Sequence, residues 1–381
     1  MMMPSSGLRR SSHHGSQRIQ LTETDFCATI GLAGTARERL RFSYLPRKAG
    51  SGDEKVSDIT AIDLFCGAGG LTLGMKRAGV RTVAAVEYDR DACRTFGASF
   101  PDVTLVDDDI RNVDFRSYAN IDLVVGGPPC QPWSTGGKRM GERDSRDMLP
   151  EFVRAVLESR PKAFLMENVP GLAGTHLEYL METVRPLRDH YDIGEPAMVN
   201  AADHGVPQKR RRMLLTGYRR DVGGSFKVPP SQAIVPASAA IGKKVVGEHN
   251  PSKVTYAKNP DIRPNPFDGQ LFNGGGRGID LARPSPTILA SAGGNKTPFI
   301  DVADLVPAYH AHLLAGGRPR SGTLPNARRI SVRECARLQT FPDDMVFHGR
   351  RSSQYRQVGN AVLPVLAEVA ARALLQGMCV V

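Results

Sequence analysis

The chain has 381 residues, 41% hydrophobic and 23% charged, with 50 Lys and Arg against 39 Asp and Glu, a formal excess of +11. That composition suits globular domains with cores of their own and excludes a disordered, collagenous or disulfide-scaffold chain. The positive excess draws a protein towards a polyanion such as nucleic acid, although basic surfaces that bind nothing are equally common.

In chain order, residues 1–57 read as an N-terminal arm, partly disordered and rich at its start in Ser, Gly, His and Arg. The opening MMMPSSGLRRSSHHGSQ has positive charge but no apolar run behind it, unlike a secretory signal, and no stretch is expected to span a membrane. From Thr60 short apolar runs alternate with segments of helical spacing. TAIDLFCGAGG, RTVAAVEYD, IDLVVGGPP and KAFLMENVPG read as strands with functional ends, and LTLGMKRAG and MLPEFVRAVLESR as helices. The alternation predicts an α/β fold, a doubly wound parallel sheet with ligands at the carboxyl ends of its strands. After Gly223 the pattern dissolves into Pro, Gly and Asn, as in a small irregular domain or a set of functional loops. Regular spacing returns with SVRECARLQTF and AVLPVLAEVAARALLQG. The latter predicts an amphipathic helix with Val362, Leu366, Val369 and Ala373 on one face, Glu368 and Arg372 off it, and Pro364 in its first turn.

In DLFCGAGG, Asp63 to Gly70, the glycines follow a strand and open a helix, so a ligand can lie close to the backbone. A dinucleotide fingerprint would place a third glycine where Thr72 stands, which disfavours a nicotinamide oxidoreductase. Glu87 closes the next strand, about twenty residues on, where a carboxylate can hold both ribose hydroxyls. Asp109, after the third strand, can accept from an adenine amino group. This set suits a nucleoside ligand without a pyrophosphate, of which S-adenosylmethionine is the common one. The same residues would also serve a plain tight turn with solvated acids at the strand ends.

The six cysteines (Cys27, Cys66, Cys93, Cys130, Cys335, Cys379) form no C-x-x-C pair, so neither zinc nor a dithiol couple is expected and a reduced, cytoplasmic setting fits. Cys130 differs from the others in position. It follows an apolar strand, two glycines and two prolines, a stiff turn at the end of a strand where a nucleophile belongs. Gly126 and Gly127 would leave space for a substrate there, and Pro128 and Pro129 would fix the approach. Glu167, in ENVPG at the next strand end, can hold or move a proton beside such a thiol, or simply cap the strand. In QKRRR, alternation sends Gln208, Arg210 and Arg212 to one face and Lys209 and Arg211 to the other. The pair His310 and His312 in YHAH is expected at the surface, with nothing to complete a metal site.

With these motifs in hand, the chain resembles the DNA (cytosine-5) methyltransferases of the bacterial modification type. The resemblance rests on DLFCGAGG, VEYD, DDDI, GGPPCQPWS, ENVPG, QKRRR, RRISVRECARLQTFP and QVGNAV in that order, over residues 60–222 and 326–370.

The resemblance implies a Rossmann-like S-adenosylmethionine-dependent methyltransferase domain with a smaller irregular target-recognition domain. The expected division is 1–57 arm, 58–222 catalytic and cofactor-binding domain, 223–345 target-recognition domain, and 346–381 C-terminal segment and helix returning to the catalytic domain. Cys130 would add its thiolate to C6 of cytosine, Glu167 would contact N3 and the exocyclic amine, and Arg212 would contact the O2 edge with Arg210 supporting the same site. Cofactor contacts would come from Asp63, Phe65, Gly67, Gly69, Gly70, Glu87, Tyr88, Asp109, Ile110, Pro129, Leu149, Asn360 and Ala361. DNA contacts would come from Gln131, Ser134 and Gln208, and from Arg333 and Arg337 on a helix that scaffolds the recognition region. Attack through the face of the ring requires the cytosine to be flipped out of double-stranded DNA. The segment STGGKRMGERDSRD after the nucleophile would close over the DNA. The implied enzyme is a cytoplasmic monomer, an orphan methylase or the modification partner of a restriction endonuclease acting on the same site. The rival readings are the same chemistry on tRNA and a non-catalytic DNA-binding homologue.

Overall fold

The computed structural model describes residues 59–129 and 147–378. The arm 1–57, Cys27 and Cys379, the residues Cys130, Gln131 and Ser134, and all but the last residue of the expected closing segment lie outside the described residues.

The predicted alternation folds into an eight-stranded mixed sheet flanked by helices. Its strands are β1 (Thr60–Leu64), β2 (Arg81–Glu87), β3 (Thr104–Asp107), β4 (Leu123–Gly126), β5 (Ala163–Asn168), β6 (Tyr191–Ile193), β7 (Ala197–Asn200) and β8 (Arg211–Arg219). The order is β3-β2-β1-β4-β5-β8-β6, with β7 also paired to β8. From β3 to β5 neighbours run parallel, whereas β8 runs antiparallel to β5, β6 and β7. Strand order reverses between β1 and β4, so the two chains leaving their carboxyl ends diverge and open a crevice.

Side-chain alternation explains why both faces are covered. Ile62, Val124, Phe164 and Met166 pack with Phe152 and Val156 of α3 (Leu149–Ser159) and Leu180 of α4 (Leu177–Val184). Ala61, Leu123, Val125 and Leu165 face the other way, onto Leu71 and Met75 of α1 (Gly70–Arg77) and onto the C-terminal helix. The α2 helix (Arg90–Ser99) follows β2 and is capped by the Asp89 carboxylate.

Beyond β8 the chain is irregular for most of its course, as the Pro- and Gly-rich sequence predicts. It contains two short antiparallel pairs, β9 (Tyr256–Asp261) with β10 (Gln270–Phe272) and β11 (Phe299–Asp301) with β12 (Ala327–Arg329). It also contains a helix that the sequence pattern does not announce, α5 (Leu305–Leu314), whose Val306, Tyr309 and Leu313 build a small core with Tyr256, Phe272 and Phe299. His310 on this helix is 5% exposed rather than at the surface, with its Nε2 2.6 Å from the Arg263 carbonyl oxygen. No cluster able to hold a metal ion occurs among the described residues.

The chain then forms α6 (Val332–Leu338), α7 (Arg351–Asn360) and α8 (Pro364–Met378). Contrary to expectation, the run Arg351–Met378 is apolar and long enough to cross a membrane by length and composition alone. It is two helices interrupted at 361–363, and its second half is buried against the sheet. The buried face of α8 keeps the predicted Leu366 and Ala373 but is broader, adding Ala367, Ala370, Ala371 and Leu374, while Val362 and Val369 are only half-buried. Small alanines turn inward because α1 crosses closely. A Cβ on Gly74 would lie 2.3 Å from Ala367 Cβ and 2.7 Å from the Glu368 nitrogen. Gly74→Val should therefore cost about 2–3 kcal/mol through overpacking, seen as a lower Tm in thermal denaturation. An unchanged Tm would contradict this docking of the last helix.

Candidate active site

The crevice between β1 and β4 gathers two groups of residues. The first follows β1. Phe65 and Gly67 adopt positive φ (58° and 55°), Gly69 has φ 84°, and the chain turns sharply into α1. These glycines serve different needs. A Cβ on Gly69 would run into Phe100 at 2.2 Å and one on Gly70 into the Val362 carbonyl oxygen at 2.0 Å, whereas one on Gly67 would meet nothing within 4 Å. Gly69 and Gly70 thus permit packing, while Gly67 faces open space.

Glu87, at the end of β2, is held in place by backbone donors. Its Oε2 accepts from Gly67 N at 2.9 Å and its Oε1 from Tyr88 N and Asp89 N at 2.9 and 2.8 Å. Burial pushes its carboxyl above the ordinary value despite these bonds. Tyr88 beside it is 69% exposed. Asp63 is buried, and its Oδ2 accepts from the Thr72 hydroxyl at 2.6 Å, so the residue that breaks the dinucleotide fingerprint is a hydrogen-bond donor to the motif's own aspartate. Asp63 Oδ1 has no hydrogen-bond partner among the described residues, and burial raises the carboxyl to about 7. An orphaned buried oxygen, an oriented carboxylate and open space above Gly67 fit a nucleoside ligand that carries a cationic group.

Asp109 caps the turn after β3 and is paired with the Arg111 guanidinium, which holds its carboxyl below the usual range. Ile110 and Leu149 are buried in the core beside this turn. Pro129 is half-buried, Asn360 exposed and Ala361 buried, the last two at the α7–α8 junction. Among these, contacts join the turn after β1 to the end of β2 through Gly67 and Glu87 and to the α7–α8 junction through Gly70 and Val362.

The second group follows β4. A Cβ on Gly126 would lie 2.6 Å from the Leu64 carbonyl oxygen, so this glycine lets β4 pass β1. That corrects the expectation that Gly126 leaves room for a substrate. Gly127 is the one beside the carboxylate, since a Cβ there would sit 3.3 Å from Glu167 Oε2. The turn is pinned by Asn168, whose side-chain nitrogen donates to the Pro128 carbonyl at 3.0 Å, and by Met148 N, which donates to the Pro129 carbonyl at 3.2 Å. Sequence reasoning gives Asn168 no role within ENVPG; its place directly after a strand-end glutamate is the available signal.

Glu167 pairs with Leu214 across the β5–β8 ladder, which makes Arg212 its diagonal neighbour on the same face. Arg212 Nε lies 2.7 Å from Glu167 Oε1, with only 12% and 10% of the two side chains exposed. This is a close ion pair, and it presents an acceptor and a donor side by side at the strand ends.

Burial alternates along QKRRR as predicted, although β8 itself begins only at Arg211, and the inward-facing side chains are covered. Gln208 is fully buried, with its Oε1 accepting from Ile288 N at 3.2 Å, so it is not the DNA contact expected of it. Arg210 is 2% exposed and donates to the Ile288, Gly359 and Ala361 carbonyls, while the charges of Arg212 and Glu167 lie near enough to act on it. Only Arg212 of the three reaches the pair. Arg333 donates to the Pro342 carbonyl and Arg337 forms a two-bond ion pair with Asp343. Both are thereby engaged with the turn that follows α6.

The family model described as C-5 cytosine-specific DNA methylase matches residues 59–265 and 282–376. Among curated proteins, the chain is 31% identical over 326 residues to the Type II methyltransferase M.NgoMIV of Neisseria gonorrhoeae, covering 84% of this chain and 98% of that protein. It is 36% identical over 338 residues to the Type II methyltransferase M1.HphI of Haemophilus parahaemolyticus, covering 84% and 87%. Among solved structures, a Spodoptera frugiperda DNMT2 mutant matches with TM-score 0.64 at 17% identity, over 83% of this chain and 99% of that one.

Proposed function

The chain belongs to the C-5 cytosine-specific DNA methylases, and from that premise we propose how its residues carry out the reaction. The protein methylates C5 of cytosine in DNA with S-adenosylmethionine as donor. The observation that carries the assignment of roles is the Glu167–Arg212 pair beside the pinned turn that leads into Cys130.

C5 of cytosine is too weak a nucleophile to accept a methyl group unaided. S-adenosylmethionine would supply that group as an electrophile on a sulfonium, with S-adenosylhomocysteine as the leaving group. The Cys130 thiolate bonds to C6, which makes the ring enamine-like and C5 nucleophilic. Glu167 holds the proton at N3 and accepts from the exocyclic amine, so the ring does not accumulate negative charge. Arg212 donates to O2, where charge develops. After methylation, C5 gives up its proton and the C6–S bond breaks, which restores aromaticity. Free of substrate, Glu167 and Arg212 neutralise each other.

On the cofactor side, Glu87 would hold the ribose hydroxyls, and the unpartnered Asp63 Oδ1 would accept from the cofactor's ammonium group. A pH dependence follows. Burial raises the Asp63 carboxyl from 3.8 to about 7, so it favours the folded state fully at low pH, and that stability is lost as pH rises through about 7. A cation beside Oδ1 favours the ionised form. Cofactor affinity should therefore rise with pH up to about 7, with a proton released on binding below that value. Calorimetry in two buffers of different ionisation enthalpy reads the release, and Asp63→Asn should remove it. A wild-type affinity that is flat across this range would contradict the role of Asp63.

Residues 223–345 read the DNA sequence, and residues 58–222 with the returning C-terminal segment perform the chemistry. The enzyme acts as a cytoplasmic monomer in a restriction-modification system, its partner an endonuclease for the same site. The relatives support this reading, since they carry the names of Type II methyltransferases. Bisulfite sequencing of plasmid DNA from cells expressing the protein tests the function and yields the site. Protection of cytosines in one sequence context, absent with Cys130→Ala, is expected. Uniform conversion alongside soluble wild-type protein would overturn it.

A further inference from the structure

A seam joins the region after β8 to the strand that carries Arg212. Ser285 N donates to the Pro207 carbonyl and Lys209 N to the Ser285 carbonyl, both at 2.9 Å. The Thr287 hydroxyl donates to the Lys209 carbonyl at 2.6 Å, and Ile288 N to Gln208 Oε1. Arg210 completes the seam. Its guanidinium donates to the Ile288 carbonyl at 3.0 Å and, on the other nitrogen, to the Gly359 and Ala361 carbonyls at 2.8 and 3.2 Å. The contact is tight on all sides, for a Cβ on Gly359 would lie 2.4 Å from the Leu289 carbonyl oxygen.

No ion pair to Arg210 occurs among the described residues, although its side chain is enclosed. Burying a guanidinium without a carboxylate is costly, and here it is offset only by carbonyl acceptors from two distant parts of the chain. A planar fork can span those carbonyls, whereas a lysine ammonium is a point charge that cannot. Two residues further along the chain, at the start of β8, Arg212 meets Glu167.

We propose that Arg210 is a positioning residue, which locks the 285–288 segment and the end of α7 onto the strand of Arg212 so that a seated recognition region holds Arg212 and Glu167 in register for the flipped cytosine. The inference rests on the function proposed above. It makes the recognition region and the base site a single hydrogen-bonded unit, and it gives Arg210 an effect on the base that passes through Arg212.

The test uses full-length protein and a duplex carrying the site mapped by bisulfite sequencing. Single-turnover methylation rates, duplex affinity by fluorescence anisotropy and S-adenosylhomocysteine affinity by calorimetry are measured for wild type, Arg210→Lys, Arg212→Lys and the double variant. Arg210→Lys should slow methyl transfer about tenfold or more while both affinities stay within about twofold. The double variant should be no slower than Arg212→Lys alone, because both changes act at one place. A wild-type rate in Arg210→Lys, or fully additive losses, overturns the proposal. If Arg210→Lys does not fold, Thr287→Val, which removes one seam bond from the opposite side, decides: a two- to threefold slower rate, on the order of one lost hydrogen bond, at unchanged affinities supports it. An unchanged rate overturns it. A wild-type enzyme inactive on the mapped duplex would instead defeat the underlying function.

Discussion

Cys130→Ala is expected to abolish methyl transfer, by at least about ten-thousand-fold, while duplex DNA is bound within about threefold of wild type. The size of the loss follows from the chemistry. Without a bond at C6, C5 keeps the low nucleophilicity of an aromatic pyrimidine, and no neighbouring acid or arginine can supply the missing electron pair. Binding should survive because DNA affinity comes mostly from phosphate contacts and counterion release, which one cysteine side chain does not supply. Incorporation of labelled methyl groups and anisotropy of a fluorescent duplex separate the two quantities. Activity above about one per cent of wild type would reject Cys130 as the nucleophile.

Glu167→Gln should lower the methylation rate about a hundred- to a thousand-fold, the scale seen when a preorganised partner of developing charge is removed. The amide keeps the volume and one acceptor oxygen, but it cannot hold the N3 proton and no longer balances Arg212 at 2.7 Å. S-adenosylhomocysteine affinity should not move, because the residues proposed to hold the cofactor, Asp63, Gly67 and Glu87, lie on β1, the turn after it and β2 rather than on β5. Single-turnover rates with parallel calorimetry check both halves. A loss below about threefold would show that the carboxylate is not used on the ring.

Much of this architecture is legible in the chain. A short apolar strand that closes on a polar residue recurs along it, and that pattern places Asp63, Glu87 and Glu167 correctly in β1, β2 and β5. Period-two alternation also assigns Gln208, Arg210 and Arg212 to one face. It does not reveal that segment 285–288 covers that face, because local spacing carries no information on contacts between residues some 78 positions apart. The role of Gly126 escapes sequence reading for the same reason, since its neighbour Leu64 lies on another strand.

Basic residues mislead in a different way. Arg329 adds to the positive excess of the chain, yet it is fully buried with its guanidinium on the Gly276 and Thr297 carbonyls and over the Phe299 ring. Burial lowers its pKa to about 10 without a carboxylate to counter the shift. Such an arginine replaces regular secondary structure as the tie between loops, a use that composition cannot distinguish from phosphate binding. The α5 helix is hidden because Pro307 and the glycines that follow outweigh the buried spacing of Val306, Tyr309 and Leu313.

Attack on cytosine through Cys130 is tested most directly by a duplex with 5-fluorocytosine at the mapped target, since fluorine cannot leave C5 as a proton does. With S-adenosylmethionine present, a denaturant-resistant protein–DNA complex should accumulate, and peptide mass spectrometry should place the nucleotide on Cys130. Enzyme that methylates the normal duplex yet forms no such complex, or forms it through another residue, would contradict the account.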